Sequence, residues 1–271
     1  MHSYTRKMAW NSDPTIFRPL ARCDHTVNQV RLNWNPELAG LPGFVSDKID
    51  RFWKENVENT GRKSFIFNGQ LGGVSGWRTR GTEFEFDLVL TEYKRLYFAK
   101  ERYCSDANLI EQYNLAAVLG VSVFLISSDD HLILIERSSS VGEAPGKFDF
   151  IGGHIDPAAH LLDGIPNPFL AIREELAEEI GLDVPVRELR LSGLVTTVAP
   201  EKPEAFFLMR SQMSAREIIS AGAEENCTEI ARLFTIQNDA DAIEQFTVRN
   251  KQRLSPSAYG GLLLYHQSLG G

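Results

Sequence analysis

The sequence predicts an α/β fold in which a mixed β-sheet lies between helices, preceded by a smaller N-terminal α+β unit. Three observations carry this. Through the second half, apolar strand-like runs interleave with segments of helical spacing, as an α/β architecture requires. VLGVSVFLISSDDHLILIER reads as two apolar strands about a polar SSDDH turn, the entry to such a sheet. The first 115 or so residues carry a separate pattern that closes before this hairpin, dividing the chain into 1–115 and 116–271.

Taken in order, residues 1–45 are broken by Pro14, Pro19, Pro36 and Pro42, which predicts extended strands or loop. Ile49, Phe52, Trp53 and Val57 then recur at helical spacing, with Ser46 as the expected cap. SFIFNGQL and TEFEFDLVL read as a hairpin, the second placing Phe84, Phe86, Leu88 and Leu90 on one face, and LGGVSGWRTRG between them reads as its turn. TEYKRLYFAKERYC and a helical DANLIEQYNLAAV complete the first unit. Beyond the apolar hairpin, EAFFLMR and IARLFTI are expected strands, DADAIEQF a short helix, and SPSAYGGLLLYHQS a C-terminal helix despite two glycines.

Composition narrows the function classes. The chain has 271 residues, 43% hydrophobic and 24% charged, as in ordinary globular proteins. A net charge of −8 argues against non-specific binding to nucleic acid or to an anionic membrane. An anionic substrate would then need local positive charge or a bound cation. Cys23, Cys104 and Cys227 are far apart and form no CxxC, which fits a reducing compartment and suggests no zinc site. The longest apolar run, Leu115 to Ile126, is too short to span a bilayer, and MHSYTRKMAWNSD lacks the apolar stretch of a signal peptide. The expectation is a cytoplasmic protein with a small-molecule partner and neither nucleic acid nor membrane as partner; oligomeric state is open.

The most informative stretch is Gly152 to Leu182, a loop followed by an acidic helix. Asn167 is placed to cap the first free N–H groups, Pro168 suits the first helical position, and Gly181 supplies a left-handed stop. Phe169, Ile172, Leu176 and Ile180 form a stripe that should pack on a core. Glu175, Glu178 and Glu179 share a second face roughly 120° round from it. Three like charges there repel. Either the face is solvated, or a hard divalent cation reverses the sign, and an oxygen-only donor set favours magnesium, with manganese as a substitute.

FDFIGGHID before this helix and GLDVPVRELRLSGLV after it frame a segment that resembles the Nudix hydrolase family, whose box reads Gly-x5-Glu-x7-Arg-Glu-apolar-x-Glu-Glu-x-Gly-apolar. Gly153 matches the opening glycine, and Glu175, Leu176, Glu178, Glu179, Gly181 and Leu182 match its second half. The chain departs from the box in three ways. Glu174 stands where the box has arginine, with Arg173 one position early. Ala159 stands where the first box glutamate belongs. Gly153 to Glu175 covers 22 positions where the family has 15, so AAHLLDGIPNP is an enlarged loop in which Asp163 or His160 could substitute for the missing group. LTEYKRL, RSSSVGEAPGKFDFIGGHIDP, AGAEEN and LSPSAYGGLLLY are similar to the branch of the family that hydrolyses UDP-glucose and UDP-galactose.

The resemblance implies a Nudix α/β/α sandwich and magnesium-dependent hydrolysis of a UDP-sugar to UMP and sugar 1-phosphate. It implies Glu175, Glu178 and Glu179 as metal ligands and catalytic carboxylates. Another nucleoside diphosphate, such as ADP-ribose or a dinucleotide, or a silent nucleotide-binding module, are the alternatives. Gly152 and Gly153 would let backbone approach a phosphate. Glu224 in AGAEEN, with Glu225 beside it, is either the general base or an exposed loop charge. His154 is base, phosphate donor or merely hydrogen-bonded. Arg137 and Lys147 flank VGEAPG and either meet a phosphate or stay on the surface. Tyr93 either stacks on the nucleobase, so that the first unit helps bind the nucleoside, or fills the seam between units. Ser257 is read as a helix cap only.

Overall fold

The computed structural model describes residues 16–60, 66–225 and 227–270. The readings that fall on residues 1–15, Ser64, Phe65 and Asn226 lie outside the described residues. In chain order the elements are β1 (Phe17–Thr26), β2 (Val30–Leu38), α1 (Gly43–Asn56), β3 (Gln70–Arg80), β4 (Glu83–Glu92), α2 (Tyr93–Gln112), β5 (Gly120–Ile126), β6 (His131–Arg137), β7 (Phe148–Asp149) and β8 (Gly152–His154). They continue as β9 (Leu161–Leu162), β10 (Ile165–Pro166), α3 (Pro168–Ile180), β11 (Arg190–Thr197), β12 (Pro203–Arg210), α4 (Ala215–Glu225), β13 (Ile230–Gln237), α5 (Ala240–Asn250) and α6 (Pro256–Leu269).

Among the described residues the large sheet has eight strands in the order β1-β11-β12-β5-β6-β13, with β8 paired to β5 and β7 to β6. It is mixed, since β12 and β5 run parallel while the other neighbours are antiparallel. Alternation sends successive side chains to opposite faces. Val121, Val123 and Leu125 of β5 join a core with Ile172, Leu176 and Ile180 of α3 and Ile218 of α4. Phe124 and Ile126 face the other way, into a core with Ile243 of α5 and Leu262 of α6. Helices therefore cover both faces, and the chain is an α/β/α sandwich.

The first core also takes in Phe84, Phe86 and Leu88 of β4, the centre of a three-stranded sheet ordered β2-β4-β3. With α1 and α2, whose contact buries Val45, Ile49, Leu96 and Phe98, this sheet forms the smaller α+β layer. β1, although it comes from the first 115 residues, is an edge strand of the large sheet, paired antiparallel to β11.

Three local readings are corrected. LGGVSGWRTRG is strand β3 almost throughout, not a turn. Its backbone bonds outward, with Gly72 N–H donating to Ile155 O at 2.8 Å and Val74 N–H to Ala117 O at 2.8 Å, and the chain reverses only after Arg80. Helix α1 begins at Gly43, because the Pro42 carbonyl accepts from Val45 N–H at 2.9 Å and Ser46 N–H at 3.1 Å; Ser46 sits inside the first turn rather than capping it. AGAEE is not a loop, since it forms the end of α4, with Glu224 and Glu225 in its last turn.

Candidate active site

β5 and β6 pair over only two residue positions before they part. β7 and β8 fill the fork, β7 against β6 and β8 against β5. A cleft of about 1160 Å³ opens here, reached by residues from both faces of the sheet. One wall is α3, whose ends are built as its sequence predicts. The Asn167 side chain accepts from Phe169 N–H at 2.9 Å, Pro168 occupies the first turn, and Gly181 closes the helix at φ 69°. With Phe169, Ile172, Leu176 and Ile180 buried, the helix has one rotational setting. That setting aims Glu175 at β8 and leaves Glu179, one turn further on, buried and not among the residues that line the cleft. The Glu175 carboxylate lies where a side chain on Gly153 would begin, so a Cβ at that glycine would overlap it.

The electrostatics of this wall are those of a site waiting for positive charge. Glu179 is 4% exposed, and its Oε2 has no hydrogen-bond partner among the described residues. Burial first, then the neighbouring Glu175, pushes the Glu179 carboxyl well above the usual carboxylate range. Burial, followed by Glu229, Glu178 and Glu174, pushes Glu175 up to about 7. Arg137 opposes both shifts and forms longer ion pairs of 3.9 Å with Asp149 and Glu229. Glu178 is exposed and borders the cleft.

An unpartnered buried carboxylate oxygen beside a second carboxylate fits a hard divalent cation. Among the described residues no three His, Cys, Asp or Glu side chains are grouped so as to hold a metal ion by themselves. Magnesium does not need such a group, since it usually takes one or two carboxylates and completes its shell with water and substrate phosphate. Glu175 and Glu179, with Glu178 at the rim, are the carboxylates that could supply such a partial shell.

The other predicted residues fall into place unevenly. Gly152, Gly153 and His154 are β8 itself and border the cleft. Arg137 is there too, its Nε donating to the Glu143 carbonyl at 2.9 Å. Lys147 borders the cleft while its Nζ donates to the Gln252 carbonyl. Tyr93 fills a seam, packed edge-on against Trp53 and stacked with Tyr97, and still reaches the cleft wall. Ser257 borders the cleft, but the cap of α6 is Ser255, whose side chain accepts from Ala258 N–H at 3.0 Å. Glu224 is not among the cleft residues; Glu229, four positions beyond α4, is.

Where the box arginine is replaced, Glu174 contacts His160 of the enlarged loop. Asp156 N–H donates to His160 Nδ1 at 2.8 Å, which leaves Nε2 to carry the proton toward Glu174. Arg173 turns away to Asp183 at 3.0 Å, as its position 100° round the helix requires. Of the two substitutes expected in the loop, His160 is thus the one that meets the helix.

Sequence reasoning passed over Lys100, Glu143, Lys202, Glu204 and Glu229, all of which border the cleft. Each is a single charge in an unremarkable local string, and only folding brings them together. The one readable signal was KPEAFFLMR, where Lys202 and Glu204 alternate onto one side of a strand otherwise made of core residues.

No family model matches the chain. It is similar to the uridine diphosphate glucose pyrophosphatase of Mus musculus, 27% identical over 207 residues that make up 66% of this chain and 66% of that protein. Its counterpart from Bos taurus is 26% identical over 276 residues, 89% of this chain and 92% of that protein. Nudix hydrolase 9 of Arabidopsis thaliana is 25% identical over 265 residues, 84% of this chain and 81% of that protein. The chain is a homologue of the Nudix hydrolases. Among solved structures, a NUDIX hydrolase from Alicyclobacillus acidocaldarius aligns at a TM-score of 0.40 with 15% identity, over 55% of this chain and 91% of that one, so the Nudix assignment rests on the sequence relatives. The acidic half of the segment that resembles the Nudix box lies on α3.

Proposed function

We propose that the protein hydrolyses the diphosphate of a nucleotide sugar of the UDP-glucose and UDP-galactose class, giving UMP and sugar 1-phosphate with magnesium, or manganese in its place. The observation that carries this is the buried, unpartnered Glu179 carboxylate beside Glu175 against the diglycine of β8. Long similarity to proteins named uridine diphosphate glucose pyrophosphatase supports the choice of substrate. A divalent cation held by Glu175 and Glu179, with Glu178 assisting, would neutralise diphosphate charge and acidify a bound water. Gly152 and Gly153 admit the diphosphate close to backbone, and Arg137 offers it a fork of donors. Glu229 replaces Glu224 as the carboxylate to receive the proton of the attacking water. Water oxygen joins phosphorus, the bridging P–O bond breaks, and the leaving phosphate carries away the electron pair.

Residues 1–115 are proposed to contribute to nucleoside binding through Tyr93 and Ile66, which border the cleft. A cytoplasmic setting accords with Cys23, Cys104 and Cys227 all being free thiols. Among the described residues no helix is long and apolar enough to cross a membrane. The test is UMP release from UDP-glucose with magnesium, beside ADP-ribose and a Glu179→Gln control. UMP from the UDP-sugar, lost in the control, is expected. No turnover of any nucleoside diphosphate with either metal would sink the enzymatic reading.

A further inference from the structure

Where β12, β5 and β8 run side by side, Glu204, Gly120 and His154 stand level across three strands, Glu204 opposite Gly120 and Gly120 opposite His154. Residues in register project to the same face. The missing side chain at Gly120 leaves a gap between Glu204 and His154, and charge fills it: a Cβ at Gly120 would overlap the Glu204 carboxylate and crowd the Lys202 ammonium. Glu204, 5% exposed, accepts from Ser122 Oγ at 2.7 Å and from Lys202 Nζ at 2.9 Å. From α2, Lys100 reaches Glu143 at 2.9 Å. All of these groups border the same cleft as Glu175, and Glu204 and His154 project from the sheet face opposite α3. Two buried atoms of the cluster, Glu143 Oε1 and His154 Nε2, have no partner among the described residues.

The charge balance indicates what the cluster could take. Two lysines face two glutamates, and burial, then Lys202, holds His154 down at about 4, so it is uncharged near neutrality. Burial works against the charge on Lys202, but Glu204 and Glu143 outweigh it and keep the ammonium protonated. A second phosphate would call for a net positive wall, and a cation for a net negative one. This wall is balanced and alternates donors with acceptors, the chemistry that bonds hydroxyl groups, each of which donates and accepts at once. We propose that Lys100, Glu143, His154, Lys202 and Glu204 form a subsite for a neutral polyhydroxyl group, the sugar end of the diphosphate, with His154 Nε2 and Glu143 Oε1 bonding its hydroxyls. The assignment rests on the diphosphate reading of the α3 wall.

The test compares KM and kcat for UDP-glucose and for the methyl ester of UDP, which keeps the diphosphate and lacks the sugar hydroxyls. Wild type is set beside Glu143→Gln, His154→Ala and Lys100→Met. Each variant is expected to raise KM for UDP-glucose about tenfold, with kcat within about threefold, and to narrow the preference over the methyl ester. Equal losses on both substrates would overturn the assignment and give the cluster to the diphosphate; no change on either would make it a set of structural ion pairs. Lys100, whose side chain is 35% exposed, is the position where folding is least at stake, and thermal melts of all three variants exclude misfolding. Should wild type cleave ADP-ribose but no UDP-sugar, the functional reading fails, and the same variants with ADP-ribose and the methyl ester of ADP still decide the subsite. Should it cleave neither, calorimetric Kd values for UDP-glucose and the methyl ester take the place of KM.

Discussion

Glu179 is buried with one carboxylate oxygen unpartnered and a second glutamate beside it, an arrangement that costs stability until a cation arrives. Glu179→Gln should therefore raise the thermal midpoint in chelator, lack the further rise expected of wild type on addition of magnesium, and lower kcat/KM by about a hundredfold or more. A variant that keeps its magnesium response would place the cation elsewhere. The pH dependence follows from the same wall. Glu175 at about 7, against an ordinary 4.5, holds its proton more tightly folded than unfolded, so the metal-free protein loses stability as pH climbs from about 4.5 through about 7. His154 acts oppositely: at about 4 against 6.5, it contributes stability that is present above about 6.5 and lost as pH falls toward 4. Above 6.5 the carboxylate effect stands alone. Melts in chelator should decline between about pH 6.5 and 8, and magnesium, which competes with those protons, should flatten the decline.

At the scale of the element, α3 is held from both ends and from one side. Its cap is worth about 1 kcal/mol, the expected loss in denaturant melts of Asn167→Ala. The enlarged loop is fastened to it by His160, which bonds Asp156 N–H through one ring nitrogen and Glu174 through the other. His160→Ala is expected to cost about 1–3 kcal/mol, since it removes a partly buried bond to a charged group. If the loop also sets the helix against β8, magnesium affinity should weaken with it; unchanged stability would reduce the contact to a surface ornament. Gly153→Ala is the sharper probe of the helix-strand seam, because its Cβ would overlap the Glu175 carboxylate. It should impair metal binding far more than folding, a difference that calorimetry and melts can separate.

Over the whole molecule, the two layers are interlocked rather than strung together. β1 crosses from the first unit to close an edge of the large sheet, and Phe17, 2% exposed, packs edge-on against Tyr259 of α6. β3 bonds its backbone to the chain at Ala117, Leu119 and Ile155. The division at 1–115 and 116–271 is proposed as functional, with the two layers melting as one. A chain begun at residue 116 is expected not to fold, and Phe17→Ala to cost about 3–5 kcal/mol. Two separate calorimetric transitions would contradict this.

Much of the frame was legible without coordinates because its signals are local. The caps and stripe of α3 and the apolar hairpin of β5 and β6 each lie within one short window, where periodicity and capping chemistry are decided by neighbours in sequence. Even α4, read as loop around Glu224, carried a readable signal: Ser214 N–H and Oγ both meet the Glu217 carboxylate at 2.7 Å, an S-x-x-E box just ahead of the helix. The glycines of β3 have the local signature of a turn, but Gly72 and Gly73 serve close approach between layers, to Ile155 and to the Ala117 carbonyl. The sequence by itself determined the acidic helix, its register and the carboxylates it presents. Only the tertiary structure decided that Glu229 rather than Glu224 reaches the cleft, and that Lys100, Glu143, His154, Lys202 and Glu204 meet there. Their encounter depends on strand register and on the parting of β5 from β6, long-range facts that no local pattern encodes.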